Sequence, residues 1–293
     1  MNPTNGLGLG WIVDHPSISD YHPEHPKVSK FFEERNMIGN STEAPRGVTS
    51  GIPESEFSPI ENQQSLGSCT AQAGIGLMEY YQKKTKGKFI DMSRLFLYKA
   101  TRNMMGVTGD TGAYLRSTMG AMVLFGVPPE HYMPYDITKF DEEPSAFLYS
   151  FAKEFQSVTY LRLDPLGMSR DRLLQRIKSF INRKMPSMFG FTVYNSISQA
   201  GNNNGEIPFP CSTDRVNGGH AVVAIGYDDQ KKITNSNCGK ETIGAIRIRN
   251  SWGAGWGDSG HGWLPYDYVL RGLAVDWWTL IRNEWVNTDI FKA

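Results

Sequence analysis

The chain has 293 residues, enough for about two domains, or one two-lobed domain, at roughly 150 residues each. Thirty Lys plus Arg balance thirty Asp plus Glu, so no net field draws nucleic acid, an anionic membrane face or a polyanionic substrate. Apolar residues make up 40%, aromatics 12% and charges 20%, a globular balance, and no apolar run reaches the ~18 residues of a membrane span.

Residues 1 to about 50 read as an N-terminal extension. Pro3, Pro16, Pro23, Pro26 and Pro45 interrupt any long helix, and only Val28 to Arg35 shows periodicity. The first thirty residues lack the basic start, apolar centre and small-residue cleavage site of a secretory signal, so no export address and no compartment is read from them. His15, His22 and His25 each precede a proline and fit no helix face, so no metal site is expected there.

From Ile52 structural signals become dense. Leu66-Gly67-Ser68-Cys69 predicts a loop turning into a helix, because Ala71, Ile75 and Met78 follow at near-helical spacing and Gly87 stops the pattern. Ser93 caps a second helix through Ala100 and Arg102, and a third runs from about Ala113 to Phe125. Ser169 to Arg183 predicts a fourth, with Leu173, Leu174, Ile177, Phe180 and Ile181 on one face and Arg170, Arg172, Arg176, Lys178, Arg183 and Lys184 as its solvated side.

The period then changes. Ser187 to Tyr194, Ala221 to Tyr227, Ala245 to Asn250, Gly262 to Leu264 and Val275 to Ile281 read as strands, and Ala200 to Gly205 as a mobile loop. Helices followed by strands predict an α+β fold.

Three cysteines, Cys69, Cys211 and Cys238, are too few for a disulfide scaffold, and the odd number leaves at least one thiol without an intrachain partner. Cys69 at a helix start has a mechanism for reactivity, since the helix N-terminus favours a thiolate. Cys211 and Cys238 lack such a setting. Downstream, His220 stands at the start of an apolar strand, where its ring is expected at the exposed strand end. Asn250 lies in phase with Ile246 and Ile248, on the inward face, where it needs a partner, while Arg247 and Arg249 point away. Cys, then His, then Asn is the order of a nucleophile, its base and the group orienting that base.

Three segments carry a family likeness: Gln63-x5-Cys69, His220-Ala221-Val222, and Asn250-Ser251-Trp252-Gly253-Ala254-Gly255-Trp256-Gly257. Over roughly Ile52 to Leu280 the chain resembles the papain and cathepsin family of cysteine peptidases, in a bacterial-type branch. That resemblance implies a two-lobed α+β fold, with a helical lobe from about 51 to 165, a β-rich, barrel-like lobe from 166 to 293, and the active site between them. It also implies a cysteine endopeptidase. Cys69 is then the nucleophile, His220 the acid and base, Asn250 the orienting amide and Gln63 an oxyanion-hole donor. Trp252 shields the His220–Asn250 bond from water.

Residues Asp110 to Tyr114 fall where the family pairs with extended substrate backbone, with Gly112 as the close-approach residue and Tyr114 beside an apolar pocket. Asp276 aligns near the floor of the pocket for the residue two before the scissile bond, where some relatives with an acid accept Arg; a partner for a nearby Arg or backbone amide is the other reading. Thr70 and Leu66 replace the family's frequent Trp and Cys, so its usual disulfide in the helical lobe cannot form. Gly219 stands where papain has Asp. No cofactor or metal is implied. The partner implied is a peptide or protein substrate; the extension is too short and too Pro-rich to be the family's helical inhibitory pro-segment, so its role, intramolecular inhibitor of the cleft or padding packed elsewhere on the body, is read from its own residues. Trp11, Ile12, Val13, Phe31, Phe32 and Ile38 give it apolar area that the cleft of a monomeric enzyme could bury. A silent binding protein or an acyl transferase or ligase are the alternative functions.

Overall fold

The structure, a computed structural model, describes residues 6–34, 47–155, 159–201 and 203–282. Ile38 and the Phe31 side chain lie outside the described set. The extension supplies strand β1 (Trp11–Ile12), helix α1 (Pro26–Glu34) and strand β2 (Thr49–Gly51). Helix α2 (Cys69–Lys86) starts at the expected cysteine and ends where Gly87 takes a left-handed φ of 70°. In α3 (Arg94–Met105) the Ser93 hydroxyl caps the Phe96 N–H at 3.1 Å. The third expected helix is divided: Ala113–Tyr114 form strand β3, and α4 begins at Leu115 and runs to Leu124. Helix α5 (Ala146–Ala152) follows, then strand β4 (Thr159–Arg162), which joins the sheet a few residues before the expected lobe boundary.

Helix α6 (Arg170–Asn182) takes its cap from Ser169. Strand β5 (Ser187–Tyr194) precedes a short helix α7 (Ser198–Gly201). Strand β6 (Val216–Asn235), β7 (Lys240–Arg249), β8 (His261–Pro265), helix α8 (Tyr266–Leu270) and β9 (Ala274–Arg282) complete the order. Seven of these strands form one sheet in the order β4-β9-β5-β6-β7-β8, with β2 added on β6 and every pairing antiparallel, while β1 and β3 make a separate parallel pair.

Alternation along β6 divides the core. Ala221, Val223 and Ile225 face α2, α3 and α4, while Val222, Ala224 and Tyr227 join Phe189, Phe191, Trp277 and Tyr268 on the other face. Strand β9 does the same with Trp278 and Leu280 against Trp277.

Two expectations need correcting. Arg176 and Lys178 are buried rather than solvated: Arg176 donates to Leu163 O and pairs with Glu24 of the extension, and Lys178 pairs with Asp229 at 2.7 Å. Arg249 points away from Asn250 but not to water, since it is buried against Ser58 and Pro59 O. At the end of the loop expected from Ala200, Gly205 packs against His261 and Gly262, and its N–H donates to Ala200 O at 2.9 Å. Cys211 and Cys238, 27 residues apart, form a disulfide and leave Cys69 as the free thiol.

Candidate active site

All eight expected site residues line one path, and the chain's own β1 strand runs along it. Gly8 comes first. Its carbonyl accepts from Gln63 Nε2 at 3.0 Å, and its N–H donates to Gln64 O at 2.9 Å. Gly10 follows, lying over Cys69 and accepting from Ala113 N–H at 2.7 Å. Trp11 and Ile12 then pair in parallel with Ala113 and Tyr114. The approach is closer than side chains permit: a Cβ at Gly8, Gly10 or Gly112 would overlap backbone across the gap, and Gly112 holds a φ of 74°. Gly112 is thus the close-approach residue, with the extension as the backbone approaching it.

Cys69 opens α2 and is fully buried. Burial pushes its thiol up to about 11, against backbone hydrogen bonds from Ala221 and Gly10 that favour the thiolate. His220 lies inside β6, because that strand begins at Val216. Its ring is fully buried rather than at an exposed strand end, with Trp252 stacked on it at 4.3 Å. His220 Nε2 bonds Asn250 Oδ1 at 2.7 Å, and Nδ1 has no hydrogen-bond partner. Burial holds the imidazole down at about 4, while the Asn250 bond works upward. Under β1 the pair is therefore thiol and neutral imidazole at neutral pH.

Two further residues fix the Gln63 amide. Ser251 Oγ donates to Gln63 Oε1 at 2.6 Å, which turns the amide so that Nε2 faces Gly8. Tyr135 donates to Gln63 O at 3.0 Å and shares a 2.6 Å bond with Ser68 Oγ, bracing the loop ahead of Cys69. Ser251 sits inside the Asn-Ser-Trp motif, which could have revealed it; nothing local marks Tyr135.

Asp276 is fully buried on β9, where its carboxylate accepts from Trp11 Nε1 at 3.1 Å and Trp278 Nε1 at 2.7 Å and faces Arg162 at 3.3 Å. Burial raises it to about 6, opposed first by the Arg162 charge.

Helix, antiparallel sheet and a Cys-His-Asn set between them define a two-lobed α+β cysteine peptidase fold. Residues 45–269 match the papain family cysteine protease profile, and the chain belongs to that family. It is 33% identical over 224 residues to an uncharacterized peptidase C1-like protein of Acanthamoeba polyphaga mimivirus, covering 75% of this chain and 68% of that one. It is 27% identical over 208 residues to mouse cathepsin K, covering 70% of this chain and 55% of the cathepsin. Among solved structures, xylellain, a cysteine protease from Xylella fastidiosa, superposes with a TM-score of 0.71 at 29% identity, covering 94% of this chain and 97% of xylellain. The protein is a papain-like cysteine peptidase.

Proposed function

We propose that this peptidase is an endopeptidase in which Cys69 attacks the scissile carbonyl, His220 moves the proton and Gln63 receives the developing oxyanion. The observation that carries the reading is the Gly8 carbonyl on Gln63 Nε2: a peptide carbonyl rests against the very donor a substrate carbonyl would use. His220, held by Asn250 through Nε2, keeps Nδ1 for the thiol. With the thiolate formed, attack gives a tetrahedral intermediate, and His220 protonates the leaving amine. Water deprotonated by His220 then releases the acyl group from the thioester.

The extension is the intramolecular inhibitor in this reading. Trp11 fills the pocket of the residue two before the scissile bond, yet it follows Gly8 and Gly10 in the chain. A substrate would place that residue before the one at the nucleophile. The strand therefore runs against substrate direction, which explains why it blocks the groove and is not itself cut there. Labelling with a thiol-directed epoxide tests the assignment. Cys69→Ala removes label and peptide hydrolysis, a loss of at least about 10⁴-fold, while Cys211→Ala retains most activity. Equal losses at both would make the thiols structural.

A further inference from the structure

The pocket that takes Trp11 is shaped around a flat ring. Trp11 lies against Gly190 of β5 and Gly219 of β6, and a Cβ at either glycine would run into it. The indole N–H of Trp11 meets Asp276 Oδ2 at 3.1 Å. Asp276 is fixed from every other side. Its own N–H donates to Asp164 Oδ2 at 2.8 Å, its Oδ1 accepts from Trp278, Arg162 faces it, and its backbone holds a left-handed φ of 64°.

Asp276 already has a cation of its own, since Arg162 Nη1 lies 3.3 Å from Oδ1 with both side chains buried. The body contributes Arg116 and Arg162, each with its guanidinium carbon 5.2 Å from the Trp278 ring, and the carboxylates of Asp164 and Asp276. Asp14 and Asp20, which also meet these arginines, belong to the extension. A substrate guanidinium would be a second cation set down on a carboxylate that the buried Arg162 already pairs with. An aliphatic side chain would leave Asp276 Oδ2 buried without its donor. A neutral ring N–H satisfies both conditions.

We infer that, with β1 displaced, this pocket selects a tryptophan side chain of the peptide substrate by its indole N–H, with Asp276 as the reading group and Gly190 and Gly219 as the walls. This rests on the peptidase reading above, and it replaces the arginine preference that an acid at this position suggests from sequence.

The test uses the full chain carrying Gly10→Val and Trp11→Ala, which clears groove and pocket together, assayed at pH 7.5. The fluorogenic peptides differ only two residues before the scissile bond: Trp, Leu, Arg, or benzothienylalanine, which replaces the indole N–H by sulfur at equal shape. The Trp peptide should exceed Leu and Arg in kcat/KM by about tenfold or more, and benzothienylalanine by about five- to tenfold, as a buried acceptor left without its donor costs. Asp276→Asn should erase the gap between Trp and its sulfur isostere. If that variant fails to fold because Arg162 loses its partner, the isostere comparison in the parent still decides. Equal rates for Trp and benzothienylalanine, or a preference for Arg, overturn the inference while leaving the peptidase reading intact. No turnover of any peptide together with no epoxide label on Cys69 overturns both.

Discussion

Between Gly8 and Ile12 the extension is bound mainly through its backbone, whereas between Asp14 and Glu34 it is bound through side chains. In the first stretch glycine meets glycine, with Trp11 buried and Leu9 packed against the core beside it. In the second, Val28 and Phe32 are buried in the core cluster that includes Phe180 of α6, with Phe32 and Phe180 edge to face at 6.1 Å. Around them Asp20 pairs with Arg116 and Glu24 with Arg176. One stretch blocks and the other anchors. A strand held by close approach is lost by adding a single carbon, while an anchor of buried rings and ion pairs keeps it near the groove for return.

The largest effect expected from breaking this division is on the anchor. Phe32→Ala should cost about 3–5 kcal/mol of stability, the usual range for removing a buried Phe, read by denaturant unfolding. An unchanged midpoint would show that the anchor contributes nothing. The groove stretch should respond in activity instead. In Gly10→Val the new side chain overlaps Gly67 backbone and expels the strand, so kcat/KM of the full chain on a small peptide should rise by about 10²-fold, given a millimolar tethered concentration and weak intrinsic binding. If activity does not rise and the protein remains folded, the strand is not the block.

The same variant sharpens the electrostatic side of the comparison. Burial lifts the Cys69 thiol to about 11, against backbone hydrogen bonds from Ala221 and Gly10 that favour the thiolate. Exposed at a helix start beside His220, it should titrate below the free-thiol value of about 8.5, seen as a downward shift in the pH midpoint of alkylation. A midpoint that stays above 10 after expulsion would place the cause of the shift in the body.

What the sequence made legible was local. Cys69 at a helix start, Ser93 and Ser169 as caps, and β5 as Ser187–Tyr194 follow from short-range pattern, and the structure has each of them. Asn250 bonding the His220 ring follows from strand phase plus a motif. The failures all needed a partner far along the chain. Arg176 reads as a solvated helix residue until Glu24 meets it, and Cys211 and Cys238 read as unrelated until two loops close on each other. His220 reads as exposed because its strand is seen to start at Ala221. The preceding Val216 to Gly219 lacks an apolar pattern, and its pairing with β5 supplies the missing strand. Of the groove glycines only Gly112 was expected, through the family likeness; Gly8 and Gly10 were illegible, since a close approach has no signature in either strand alone.

The smallest effect expected is acid opening, and of the two stretches only the anchor contributes to it. In the groove, a thiol at about 11 and an imidazole at about 4 hold one proton between them from about pH 4 to pH 11. An opened thiolate and imidazolium pair also holds one proton at neutral pH, so opening takes up none between pH 7 and pH 5 and acid gives no push there. In the anchor, burial works to raise Glu24, but the charge of Arg176 and the Glu24 backbone outweigh it, and the carboxyl lies below its usual 4.5. A depressed carboxylate stabilises the closed form above its unfolded pKa, and that stability is lost as pH falls through the folded value. Glu24 is partly exposed, so the change is no more than about a few-fold. The measurement is the rate of epoxide labelling at Cys69 in the wild-type chain divided by that in Gly10→Val, which cancels the intrinsic pH dependence of the thiol. The ratio should stay flat from pH 7 to pH 5 and rise only below about 4.5, and Glu24→Gln should remove that rise. A rise already between pH 7 and pH 5 would mean that His220 takes up a proton alone on opening, and that the pair does not share one.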